Sequence, residues 1–248
     1  MLQGRVLIPA VLLFATVACA SSGDRVANAR EKRQQEVERL FRDAGLAYPP
    51  KEILLRAFKH EGELELWVTG KGQAALTKLK TYKVCAPSGV AGPKRREGDF
   101  QVPEGFYVVD RFNPQSNFHL SLGIDYPNAA DRARLRGERR MGGDIFIHGS
   151  CVTVGCLPIE DGPIEELYLI ALDARTAGQK RIGVHLFPSR MDDASFAALL
   201  AREKPDEALK AFWEEQLRPG YLAFEKSRRP PQVSVDPKTG RYLIKARD

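Results

Sequence analysis

Two side chains able to carry out acyl-transfer chemistry, His148 and Cys156, lie within residues 144–159. The stretch begins with an apolar run, Ile145, Phe146 and Ile147, and places Gly149 after the histidine and Gly155 before the cysteine. Cysteine is the best ordinary nucleophile near neutral pH, but only as thiolate, so a nearby base must take its proton or its surroundings must lower its pKa. His148 is the only histidine close in sequence to Cys156. The flanking glycines permit tight turns and let a substrate carbonyl approach backbone N–H groups. Cys151 lies between the two. A zinc cluster of His148, Cys151 and Cys156 lacks a fourth ligand and the usual spacing, so no metal or other cofactor is expected.

The segments that must position this pair read as β-rich. Residues 52–58 and 63–69 flank a turn at Lys59–Gly62, and the second alternates Leu64, Leu66 and Val68 inward against Glu63, Glu65 and Trp67, the period of a half-buried strand. Residues 77–85, 106–112, 118–124, 144–148 and 181–187 continue as strands between Gly- and Pro-rich loops. Many short strands with turn signals point to a sandwich or barrel. Before them, residues 24–44 space Val26, Val37, Leu40 and Phe41 for a helix,. After the cysteine, residues 163–176 form a helix with Asp161 as its cap and Glu165 and Glu166 near its positive end. A helix around 206–217 and a hairpin through 237–240 make up a tail, which Phe212, Trp213, Tyr221 and Phe224 are expected to pack onto the domain.

Residues 1–23 read as an export signal: one charge, Arg5, precedes a Val6–Val17 run too short to span a bilayer comfortably,. Ala18-Cys19-Ala20 fits a small-residue cleavage site, while residues 16–19 fit a relaxed lipobox with Cys19 as a lipidation candidate. The expected location is the bacterial periplasm or cell envelope, with a lipid anchor through Cys19 as one outcome. Cys85, Cys151 and Cys156 remain, and an odd number leaves at least one free thiol. A Cys85–Cys151 bridge is one arrangement; Cys151 as a redox partner of Cys156 is another. The composition is that of a globular protein, 43% hydrophobic and 28% charged, with a net charge of +6. No phosphate-binding glycine loop, zinc-finger spacing or aromatic-interleaved basic motif points to nucleic acid.

Further segments join the His–Cys stretch in order: residues 92–94, 97–99, 103–107, 121–122 and 126–128, then 147–149 and 154–156, then 184–188 with Arg190 and Met191, and finally 212–213 and 220–221. Together they resemble the L,D-transpeptidase (YkuD) family, in its YafK-like branch. The resemblance implies a mainly β fold with α: a YkuD-like β-sandwich catalytic domain (51–190), preceded by a leader (1–23) and an N-terminal helix and linker (24–50), and followed by a helical and hairpin extension (191–248). It implies acyl transfer on peptidoglycan stem peptides, with Cys156 attacking the carbonyl of an L-centre to form a thioester. The acyl group then passes to a diaminopimelate amine or to the amine of a wall-attached lipoprotein. His148 would be the base, Gly149 would orient it through its carbonyl, and the backbone of Gly155 and Cys156 would hold the oxyanion.

The sequence departs from the broader family at one point. Many members carry Ser-His-Gly-Cys followed by an apolar residue and Arg or Asn; here residues 153–158 read Thr-Val-Gly-Cys-Leu-Pro. Groups that bind substrate carboxylates must then come from elsewhere, and His185, Thr153, Ser150 and Arg190 are the supporting or substrate-binding candidates. The five arginines between 132 and 140 read mainly as a solvated loop. Two alternatives stand beside transfer: the same thiol chemistry run as a hydrolase, and a wall-binding lipoprotein domain without catalysis.

Overall fold

The computed structural model describes residues 23–70, 72 and 74–247. The apolar run expected to be a leader, with Cys19 and both expected processing points, lies outside the described residues. Helix α1 (Gly23–Asp43) buries Ala29, Val37 and Phe41. Its polar side is fastened by Arg30 to Asp173 at 2.6 Å and by Arg33 to Glu165 at 3.0 Å. Both acids lie on α3 (Asp161–Thr176), the long helix that follows the Cys156 segment.

Eight strands form one curled sheet in the order β3-β2-β1-β8-β4-β5-β6-β7. They are β1 (Ile53–Phe58), β2 (Glu63–Thr69), β3 (Leu76–Lys83), β4 (Gly105–Ser116), β5 (His119–Ile124), β6 (Ile145–His148), β7 (Leu157–Pro158) and β8 (Gly183–Phe187). The twelve-residue β4 serves both halves: Gly105–Val108 pair with β8, and the remainder pairs with β5. One core unites the inner faces of the two halves with α3, through Leu64, Leu66, Leu120, Leu122, Ile147, Leu167 and Ile170. A sheet that doubles back on a shared apolar filling is the sandwich-like arrangement expected of the strand pattern.

The opposite face of the sheet is also covered. Helices α4 (Asp193–Glu203) and α5 (Glu207–Phe212), a π-helical turn (Trp213–Leu217) and α6 (Arg218–Ser227) lie on it, with the β9–β10 hairpin (Gln232–Val235, Tyr242–Lys245) and the short α2 (Ala129–Arg134). Phe58, Phe106 and Phe187 of the sheet join Phe212, Trp213 and Tyr221 in a second core. Hence Glu65 and Trp67, expected to face solvent, are buried: Trp67 packs edge-on against Phe224 with ring centroids 4.9 Å apart. The alternation of β2 thus separates two buried faces, the second of which meets the tail instead of water. Arg56, fully buried, faces the Phe224 ring at 4.3 Å and pairs with Glu225 at 2.7 Å and Glu65 at 3.6 Å, binding α6 to the sheet.

Two local expectations need correction. The α4 helix, with Asp192 capping Ser195 N–H at 3.0 Å, was not foreseen. Asp161 does not cap α3; its Oδ1 accepts from the Ser150 backbone N–H at 2.7 Å instead. Glu165 and Glu166, expected near the positive end of the helix dipole, are buried and bonded to Arg33, His119, Lys80 and Tyr82.

Candidate active site

The site is built on the last strands of the sheet. β6 runs antiparallel to β5, with His148 opposite Ser121, and parallel to β7, with Ile147 beside Leu157 and His148 beside Pro158. Continuing that register by one residue brings Cys156 beside Phe146, and the Phe146 N–H donates to Cys156 Sγ at 3.4 Å. Phe146 and His148 are two apart on one strand and share a face. The turn that carries the thiol is therefore bonded to the strand that carries the imidazole, two residues before it.

The ring of His148 is 1% exposed and lies on Phe118, with centroids 4.7 Å apart. Its Nδ1 is 2.6 Å from the Gly149 carbonyl oxygen. A carbonyl only accepts, so Nδ1 carries the proton and Nε2 presents a lone pair. That Nε2 is buried without a hydrogen-bond partner. Position 149 admits only glycine: a Cβ there would lie 2.5 Å from Asp161 Oδ1 and 2.8 Å from the Phe118 carbonyl oxygen. The side chain of Asp161 thus fixes the turn after His148.

From this turn the chain passes through Ser150, in the left-handed region at φ 59°, to Cys151. Cys151 is bonded to Cys85, with Cα atoms 5.7 Å apart. The bridge joins the loop between His148 and Cys156 to the loop that follows β3 and removes Cys151 as a redox partner of Cys156, which is the free cysteine among the described residues. Thr153 then organises the cysteine turn. Its Oγ1 accepts from the N–H groups of Cys156 at 2.8 Å and Gly155 at 3.2 Å, and lies 2.9 Å from the Cys156 carbonyl, to which it donates. The two N–H groups expected to hold an oxyanion are therefore already occupied by one hydroxyl. Gly155 has φ 121°, and a Cβ there would sit 3.1 Å from the Gln101 carbonyl oxygen.

Burial pushes the Cys156 thiol above its ordinary 9.0, with the Phe146 N–H opposing, Asp144 adding to the rise and Lys94 opposing it. Burial holds His148 below its ordinary 6.5, with the Gly149 carbonyl acting against it. At neutral pH the pair rests as neutral thiol and neutral imidazole, not as an ion pair. The half-buried Sγ donates to the Asp144 carbonyl at 3.5 Å. A turn of the cysteine side chain away from that carbonyl is needed to hand its proton to Nε2.

Cys156 opens into a cavity of about 290 Å³ walled by the 84–91 loop, Lys59, His60, Pro188, and Arg202 and Glu203 of α4. Lys59 is held by the buried Glu104 at 3.0 Å, whose carboxylate also accepts from Gly92 N–H and, at 2.7 Å, from Trp213 Nε1. This network ties the cavity wall to the π-helical turn.

The structure brings His148, Gly149, Ser150, Thr153, Gly155 and Cys156 together, but not the other two candidates. His185 lies on β8, buried against Phe106 and Phe187, and is held near 3 by burial and then by the Arg56 charge. Arg190 stacks over Phe58 and pairs with Glu63 and Glu65. Neither lines the Cys156 cavity, nor do the arginines between 132 and 140. Asp161, Phe118, Lys59 and Glu104 were missed as site residues. An acid at a helix start reads as a cap, and nothing in sequence ties residues 59 and 104 to the thiol. Among the described residues, no group of three or more His, Cys, Asp or Glu side chains is arranged to hold a metal ion. No helix there is long and apolar enough to cross a membrane.

The chain matches no family model. It is 40% identical over 194 residues to the "Putative L,D-transpeptidase YafK" of Escherichia coli K12, spanning 77% of this chain and 73% of that protein, and the same holds for the O157:H7 protein. The chain belongs to the YafK-like L,D-transpeptidases. Among solved structures, this L,D-transpeptidase homologue is similar to the helical cell shape determining protein Pgp2 of Campylobacter jejuni. The TM-score is 0.44 at 18% identity, covering 87% of this chain and 80% of that one. Bd1075 of Bdellovibrio bacteriovorus gives 0.39 at 19% identity, over 58% and 50%.

Proposed function

We propose that this L,D-transpeptidase homologue acts in the bacterial envelope on peptidoglycan stem peptides, through a thioester on Cys156. The observation that carries this reading is the unpartnered, deprotonated Nε2 of His148 on the strand to which a free, cavity-lining thiol is hydrogen-bonded.

In the first half-reaction Sγ bonds to the carbonyl carbon of an L-centre while Nε2 takes the thiol proton. Collapse of the tetrahedral intermediate breaks the C–N bond. The departing D-amino acid takes the proton back from the imidazolium, leaving a thioester. In the second half, an acceptor amine attacks the thioester, gives its proton to Nε2 and displaces the thiolate, which is reprotonated. The Phe146 N–H supports negative charge on sulfur during both halves. Oxyanion binding by the Gly155 and Cys156 N–H groups requires the Thr153 hydroxyl to give them up. The Gly149 carbonyl keeps Nδ1 protonated throughout and so keeps Nε2 as the working nitrogen.

The test is mass spectrometry of products formed from purified muropeptides. Transfer yields new cross-links between diaminopimelate residues and releases the terminal D-amino acid; hydrolysis yields products that have gained water. Neither product, with properly folded protein, would leave a wall-binding module.

A further inference from the structure

The cavity that receives Cys156 has an otherwise largely apolar lining, formed by residues such as Ala86, Val90 and Pro188, and a charged boundary contributed from outside the catalytic sheet. Three strongly charged residues line it: Lys59, Arg202 and Glu203. Lys59 is spent on internal partners, its Nζ donating to the carbonyls of Gly92 and Val102 and to Glu104. Arg202 and Glu203, the last two residues of α4, are joined through Nε and Oε1 at 2.7 Å and are about one third exposed, at 37% and 28%. That single bond leaves the terminal nitrogens of Arg202 and the second oxygen of Glu203 available to a ligand.

An adjacent guanidinium and carboxylate that share a cleft select against singly charged groups. A lone carboxylate gains from Arg202 but meets the charge of Glu203, and a lone ammonium meets the reverse. A group carrying both charges on one carbon satisfies both, with the carboxylate on the arginine fork and the ammonium on the glutamate. The apolar lining suits a short aliphatic connection between that group and the amide presented to sulfur.

We infer that Arg202 and Glu203 form a subsite for a zwitterionic α-amino-acid centre carried at the end of a short aliphatic side chain. The inference rests on the acyl-transfer reading above for its ligand: in a stem peptide, this chemistry is that of the distal centre of meso-diaminopimelate. The C-terminal extension would thereby supply the carboxylate recognition that the motif at 153–158 lacks. Lysine in the same position carries the ammonium without the carboxylate, and so is the discriminating comparison.

The experiment uses the full chain carrying Cys156→Ala, titrated calorimetrically with γ-D-glutamyl-meso-diaminopimelyl-D-alanine and with its lysine counterpart. The diaminopimelate peptide is expected to bind about tenfold more tightly, the scale of a charged hydrogen bond at a partly exposed site. Adding Arg202→Gln should bring its affinity down to that of the lysine peptide at an unchanged melting temperature. Equal affinities, no binding of either peptide, or a margin that survives Arg202→Gln would overturn the subsite. Turnover is followed separately with Cys156 intact. Selective, Arg202-dependent binding without turnover keeps the subsite and removes the acyl-transfer reading; turnover of both peptides with equal affinity does the opposite.

Discussion

Cys156 is hydrogen-bonded to Phe146, two residues before His148 on β6, yet the thiol and the imidazole are not hydrogen-bonded to each other. The thiol donates to the Asp144 carbonyl, while Nε2 of the imidazole has no partner. Burial opposes charge on both groups. On the proposed mechanism, the thiolate forms during attack, as the sulfur turns toward His148, and is not stored beforehand.

That resting state sets a pH signature. Alkylation of the free enzyme by iodoacetamide should rise with pH through and beyond 9.0, with no thiolate plateau near neutrality. The acid limb of kcat/KM should lie below 6.5, because His148 stays neutral to lower pH than a free imidazole,. A fast alkylation plateau at pH 6 to 7 would instead mark an ion pair.

Thr153 ties three backbone groups around the nucleophile with one hydroxyl. Thr153→Ala leaves them without that partner and should cost about 1–3 kcal/mol of stability. Displacement of the sulfur should lower kcat by about tenfold or more. Thr153→Ser keeps the hydroxyl and should restore most of both, read by thermal melts and by steady-state kinetics on stem peptides.

Position 149 tests the packing behind the base. Gly149→Ala drives a methyl group to 2.5 Å from Asp161 Oδ1 and 3.0 Å from His119 Cβ. The turn must shift, at an expected cost of about 1–3 kcal/mol in a denaturant melt. Activity should fall by about a hundredfold, since the carbonyl that fixes the imidazole moves with it.

His185 is expected to matter for acid stability instead of chemistry. Its folded value is held near 3 by burial, first, and by Arg56, against an ordinary 6.5. Between these values the unfolded chain binds one more proton than the folded one. Stability is therefore full above 6.5 and declines as pH falls toward 3, by up to about 1.4 kcal/mol per pH unit. His185→Phe should flatten that decline, measured as the urea midpoint between pH 7 and pH 4.5.

The contrast between His148 and His185 marks what was legible in the sequence. His148 and Cys156 sit on neighbouring strands joined by one short loop, so spacing, glycines and an apolar run sufficed to bring them together. The strands and α1 were legible for the same reason, since their periodicity is local. What escaped depends on distant chain. Trp67 and Glu65 are covered by α6, roughly 160 residues further along the sequence,. The cavity wall joins residues 59, 84–91 and 202–203, which no local pattern links. Asp161 reads as a cap until the fold shows Ser150 N–H beside it. His185 has the apolar surroundings of a core histidine, and the structure places it in one.

The central claim is that the sulfur of Cys156 becomes covalently acylated. Intact-mass spectrometry of the full chain, quenched in acid within seconds of mixing with a tetrapeptide stem, measures this directly. The account requires an adduct equal to the stem less its terminal D-amino acid, mapped to Cys156 and released by hydroxylamine. A Cys156→Ala chain that still turns the stem over, with no adduct on the wild-type protein, would contradict it.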